Sequence, residues 1–102
     1  MAVIVEFNII PLGVGISVSQ FLAPAVEELE KRNVKYEVTS MCTIFEAKNI
    51  EEAFKLVREA HESVFEMGVK RIVTAIRIDD RRDDERSMED KVKSLKRLVE
   101  KA

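Results

Sequence analysis

The sequence predicts one α+β domain, a four-stranded sheet with two helices on one face and a third helix at the C-terminus. Three observations carry this. The chain has 102 residues, enough for one domain and too few for two. Its 46% hydrophobic and 35% charged residues, with three Gly and two Pro, are those of a chain with an ordinary core, not a disordered or collagen-like one. Its apolar residues also alternate between strand and helix spacing in the order β-α-β-β-α-β-α.

Residues 2–10 are rich in β-branched side chains and end at Pro11-Leu12-Gly13, as a strand would. Val3, Val5, Phe7 and Ile9 share one side, while Ile4, Glu6, Asn8 and Ile10 share a mixed one. After Gly13-Val14-Gly15, the residues Val18, Phe21, Leu22, Ala25, Val26 and Leu29 recur at helical spacing, so a helix is predicted over about 17–32. Ser17 or Ser19 suits its N-cap, and Pro24 predicts a kink near Gln20. Residues 34–40 and 42–48 are two further strands, close enough in sequence to form a hairpin.

Asn49 with Glu52 resembles a capping box and opens a second helix. Its predicted stripe is Ile50, Ala53, Phe54, Val57, Ala60, Val64 and Phe65, and Gly68 is its stop. Residues 69–79 form the last strand, and Ser87 caps a terminal helix with the stripe Met88, Val92, Leu95, Val99 and Ala102. The first six elements spell the split βαβ pattern, a ferredoxin-like βαββαβ sandwich with an extra C-terminal helix. Both crossing helices then lie on one face of the sheet. The other face, with Ile4 and Ile10 beside Glu6 and Asn8 and with Val73, Ala75 and Arg77 on the last strand, is too apolar for bare water and too polar for a core. Self-association through this face, with polar groups kept for a ligand, accounts for both properties; the alternative is a solvated face with incidental Ile residues, since apolar atoms are common on surfaces.

Charge narrows the function classes. The 17 basic and 19 acidic side chains leave a net charge of −2, without the basic excess that nucleic-acid binding exploits. One Cys excludes a disulfide within the chain. No stretch approaches the ~18 apolar residues of a membrane span, and the N-terminus lacks a basic region before its apolar run, so a soluble cytoplasmic protein is expected. The balance of 14 Glu and 9 Lys against the single Gln20 is that of heat-adapted proteins.

No catalytic set can be assembled. His61 is the only histidine and has no Cys, Asp or second His at ligand spacing, so a packed helix residue is expected. Cys42, at the start of a strand, is expected to be a small, partly buried hydrophobe. The run from Asp79 to Arg86 holds five carboxylates, but its three Arg largely neutralise them and the EF-hand order is absent. Asp83 through Arg86 therefore reads as a solvated linker, while Asp79, Asp80 and Arg81 end a strand and can reach a neighbouring pocket. Gly13-Val14-Gly15 lacks the spacing of a phosphate loop.

Four blocks in register resemble a known family. Pro11-Leu12-Gly13-Val14-Gly15, Ser17-Val18-Ser19, Met41-Cys42-Thr43-Ile44-Phe45-Glu46, and Ile78-Asp79-Asp80-Arg81-Arg82-Asp83 followed by Lys91-Val92 are similar, in order and spacing, to those of the small thiamine-binding proteins. The chain departs from that family at Cys42 and Ala47, where glycine is usual. The resemblance implies a ferredoxin-like protomer assembling into homodimers and homotetramers, and a pocket for thiamine or its hydroxymethylpyrimidine part, acting as carrier, buffer or sensor. It implies neither catalysis nor a cofactor. The ligand-binding residues then expected are Asn8, Gly13, Ser17, Ser19, Thr43, Glu46, Arg77 and Asp80. Hydroxyls and an amide suit the aminopyrimidine, and the Glu46 carboxylate suits the cationic thiazolium. Ser17 and Ser19 equally suit the helix cap, and Glu46 a surface ion pair. The alternative is a structural or regulatory homo-oligomer that binds another protein and has a degenerate pocket.

Overall fold

The computed structural model describes residues 2–83 and 87–101, so Asp84, Glu85 and Arg86 of the charged run, and Ala102, lie outside the described residues. The elements are β1 (Val3–Leu12), α1 (Ser19–Lys31), β2 (Tyr36–Val38), β3 (Thr43–Ala47), α2 (Ile50–Phe65), β4 (Arg71–Asp79) and α3 (Met88–Lys101). The sheet order is β2-β3-β1-β4, every pair antiparallel, as the split βαβ pattern requires. The fold is the predicted ferredoxin-like one.

β1 alternates with period two, and Val3, Val5, Phe7 and Ile9 are buried under the helices. It runs two residues beyond its predicted end, through Pro11. β3 pairs with β1 only from Val3 to Phe7, whereas β4 pairs with it as far as Leu12. From Asn8 onward β1 therefore has a neighbour on one side only, and a missing N–H is tolerated there. β2 and β3 form the expected hairpin, both shorter than predicted because residues 39–42 turn. The Thr39 hydroxyl fixes that turn by accepting hydrogen bonds from the N–H groups of Met41 (3.2 Å) and Cys42 (3.1 Å).

The core lies between the sheet and α1 and α2, with Phe45, Leu29, Leu56, Val5 and Val64 fully buried. α1 begins later than predicted. Val18 occupies its N-cap without any side-chain cap, so neither Ser17 nor Ser19 plays the predicted part. Ser17 precedes the N-cap and Ser19 is already helical. The helix runs unbroken through Pro24. Asn49 caps α2 as predicted, accepting from the Glu52 N–H at 2.8 Å. The stripe of α2 is rotated from the predicted one, with Leu56 buried and Phe54 54% exposed. The helix packs against both α1 and the sheet, which draws in Leu56 and leaves Phe54 on the outer flank.

α3 departs most from expectation. Its first turn is well held. Ser87 and Asp90 cap it reciprocally, the Asp90 N–H donating to the Ser87 hydroxyl (3.1 Å) and the Ser87 N–H to the Asp90 carboxylate (3.0 Å). Ion pairs Lys35–Glu89 and Lys91–Asp79 tie the same turn to the sheet, and Met88 is buried. Beyond it the stripe is bare, with Val92, Leu95, Leu98 and Val99 all exposed and Leu98 at 69%. A radius of gyration of 15.1 Å, against about 13 Å for a compact chain of this length, reflects the projecting helix.

Candidate functional site

The strand registers arrange the uncovered face of the sheet in rows. Glu46, Ile4 and Asp79 make the first row, and the first turn of α3 sits at it, the Met88 N–H donating to the Glu46 carboxylate at 2.6 Å. The second row, Glu37, Ile44, Glu6 and Arg77, is charged. Asn8 and Ala75 follow with Cys42 beside them, and then Ile10 with Val73 and Leu12 with Arg71. Ile10 and Val73 are 43% and 46% exposed, an apolar end that no element among the described residues covers.

Between α1, β1 and the 39–42 turn lies a cavity of about 510 Å³. Phe7, Leu22, Val26 and Thr43 line its interior, and Asn8, Ser19, Thr39, Ser40, Met41 and Cys42 its rim. Apolar walls with a few hydroxyls and an amide, in this volume, suit a small heteroaromatic ligand. The first turn of α1 places Ser19 there, and Thr43 projects to the same side of the sheet as Phe7, its partner in the β1–β3 ladder. A shallower depression of about 230 Å³ lies on the uncovered face, lined by Glu6, Asn8, Met41, Cys42, Ala75, Ile76 and Arg77.

A larger hollow of about 680 Å³ at the opposite end of the sheet takes in Arg32, Lys35, Lys48, Glu46 and Glu52. Most of its charged groups are already engaged. Arg32 pairs with Glu59, Lys35 with Glu89, and Glu52 accepts from the Lys48 N–H at 3.0 Å. We therefore place the candidate site at the helix-side cavity despite its smaller volume. Among the described residues no group of three or more His, Cys, Asp and Glu can hold a metal ion. His61 is packed as expected, its Nδ1 2.6 Å from the Thr74 hydroxyl and its ring edge-on to Phe65.

A family model of thiamine-binding proteins matches residues 5–96. The chain belongs to the thiamine-binding protein family. A UPF0045 protein of Methanothermobacter thermautotrophicus is 44% identical over 95 residues, covering 92% of this chain and 96% of the relative. The crystal structure of the hypothetical protein MJ1052 from Methanocaldococcus jannaschii superimposes with a TM-score of 0.84 at 38% identity, covering 92% of this chain and 95% of that one. A Thermotoga maritima protein provisionally assigned to thiamine biosynthesis or salvage gives a TM-score of 0.77 at 25% identity, covering 93% and 99%.

Within this family member the eight predicted site residues divide. Asn8, Ser19 and Thr43 meet at the helix-side cavity, and Asn8 and Arg77 line the depression on the other face. The structure brings the remaining four to neither. Gly13 follows β1 at φ +80, a left-handed backbone conformation that favours glycine, and a Cβ there would face open space. Ser17 is exposed in the same loop. Asp80 accepts hydrogen bonds from Arg82 at 2.8 and 3.2 Å, and this guanidinium holds its carboxyl below the usual range. Glu46 lies on the uncovered face, where its carboxylate accepts from the Met88 N–H at the start of α3.

Sequence reasoning passed over Thr39, Met41 and Glu6. Thr39 and Met41 belong to a turn whose course only the structure reveals. Glu6 was legible, since it shares a strand side with Asn8.

Removing the Glu46 side chain should release α3 and not touch the cavity. A charge-assisted hydrogen bond of this kind contributes about 1.5–3 kcal/mol. In Glu46→Ala, amide exchange at Met88 through Lys91 should accelerate about tenfold or more while α1 and α2 stay protected. Acid should loosen the same helix. Lys35 holds the Glu89 carboxyl below its ordinary pKa, so that contribution is present above the ordinary carboxylate range and lost as pH falls through the lowered value.

Proposed function

We propose that the protein binds thiamine or its hydroxymethylpyrimidine part in the helix-side cavity, without converting it, and works as a homo-oligomer. The observation that carries this is the convergence of Asn8, Ser19 and Thr43 on one apolar-walled cavity of about 510 Å³ in a member of the thiamine-binding family. The aminopyrimidine has donors and acceptors for the hydroxyls of Ser19 and Thr43, and Phe7, Leu22 and Val26 offer its ring an apolar wall. Binding is favoured over catalysis by the place of His61, which is spent on Thr74 and Phe65. Assembly is supported by two bare apolar surfaces, the Ile10–Val73 end of the sheet and the stripe of α3.

Titration calorimetry with thiamine, hydroxymethylpyrimidine and thiamine diphosphate tests the reading. Saturable binding of the first two, weakened about five- to tenfold by Thr43→Val through loss of one hydroxyl, is the expected result. No heat from either at millimolar ligand would remove the reading and favour the purely structural oligomer.

A further inference from the structure

The helix-side cavity and the depression on the uncovered face share a wall: Asn8, Met41 and Cys42 line both. They lie back to back because β3 stops pairing with β1 at Phe7, leaving a notch in the sheet between residues 8–12 and the 39–42 turn. Resting on the binding reading above, we propose that the two hollows form one site for a two-ring ligand straddling this notch. The neutral ring sits among the hydroxyls of the helix side, and the cationic ring lies against Glu6 on the other. Glu6 is then the residue that distinguishes cationic from neutral ligands.

Three observations support the assignment. Among the described residues Glu6 is the only carboxylate lining either hollow. Its carboxylate is aimed at the notch, with one oxygen 3.6 Å from the Cys42 sulfur on the shared wall. Its present counter-ion is loosely held, since the Arg77 Nε stands 3.6 Å from the other oxygen and that side chain is 85% exposed. A cationic ring can therefore displace Arg77 at little cost, because solvent-exposed ion pairs of this kind are weak. The carboxylate expected from sequence to meet the cation, Glu46, lies two strand positions from Ile44 and Glu6 and is engaged with Met88.

Calorimetry on Glu6→Gln with thiamine and with neutral hydroxymethylpyrimidine is the test. Thiamine affinity should fall roughly ten- to a hundredfold and pyrimidine affinity by less than about threefold. Equal losses, or none, while the wild type binds both ligands would overturn the straddling site and leave the binding reading intact. Heat from neither ligand in the wild type would overturn both. Arg77→Gln, at the 85% exposed side chain that pairs with Glu6, is a second arm, with its fold checked by circular dichroism. It should tighten thiamine about two- to fivefold and leave the pyrimidine unchanged, since it removes the competing cation. Unchanged or weaker thiamine binding in that variant also counts against the proposal.

Discussion

Truncating Phe45 to alanine is expected to cost about 3–5 kcal/mol, a large share of the ~5–15 kcal/mol that holds a domain together. Phe45 has no solvent exposure, and its ring meets Phe7 edge-on at 5.8 Å. It sits in the middle of β3, opposite Val5 on one side and Tyr36 on the other, so its neighbours are held by the ladders and cannot close on the void. The loss therefore includes a transfer contribution and a cavity contribution, together with the aromatic pair. Urea unfolding should show the midpoint falling sharply at unchanged slope. A loss below about 1.5 kcal/mol would mean that the sheet and helices are packed more loosely than the structure shows. Phe54→Ala on the outer flank of α2 is the control and should change stability by less than about 1 kcal/mol, because that ring is largely in water already.

Placing a carboxylate at Ile10 is expected to dissociate the proposed assembly while leaving the protomer folded. In the protomer Ile10 is 43% exposed, so an aspartate there stays hydrated. Beneath a second copy the same charge would be buried without a partner, at a cost of several kcal/mol for each site. Light scattering should give the wild type a multiple of 11.7 kDa, and Ile10→Asp a single protomer with an unchanged circular dichroism spectrum. A wild type that is monomeric at micromolar concentration would end the oligomer reading. Ile4, on the same side of β1, is a poorer place for the test, because it is half-buried in the row beside the first turn of α3.

Two kinds of information separate cleanly in this chain. The periodicity of β1, the Asn49 cap, the Ser87 cap and the stop at Gly68 are local signals, set by neighbours within one turn or one strand. From them followed the order of the elements and, with the crossover rule, the topology of the sheet. The mixed side of β1 likewise announced a face of the sheet that the helices do not cover. Sequence by itself thus determined the fold and the existence of a half-apolar sheet face that the two crossing helices leave uncovered.

It could not determine which polar residues meet. Asn8, Ser19 and Thr43 are scattered along the chain and converge only because β3 pairs with β1 while the first turn of α1 descends beside them. Glu46 lies in the same family-like block as Thr43 and was expected at the ligand because its carboxylate suits the cationic thiazolium. Odd and even positions of a strand face opposite ways, so three residues' separation sends Thr43 to the helix side and Glu46 to the other. There the tertiary structure decides its part, because the N-terminus of α3 presents an unsatisfied N–H within hydrogen-bond reach and the carboxylate accepts it. Strand spacing is local and legible, whereas the pairing of a carboxylate with a helix end 42 residues away exists only once the chain has folded.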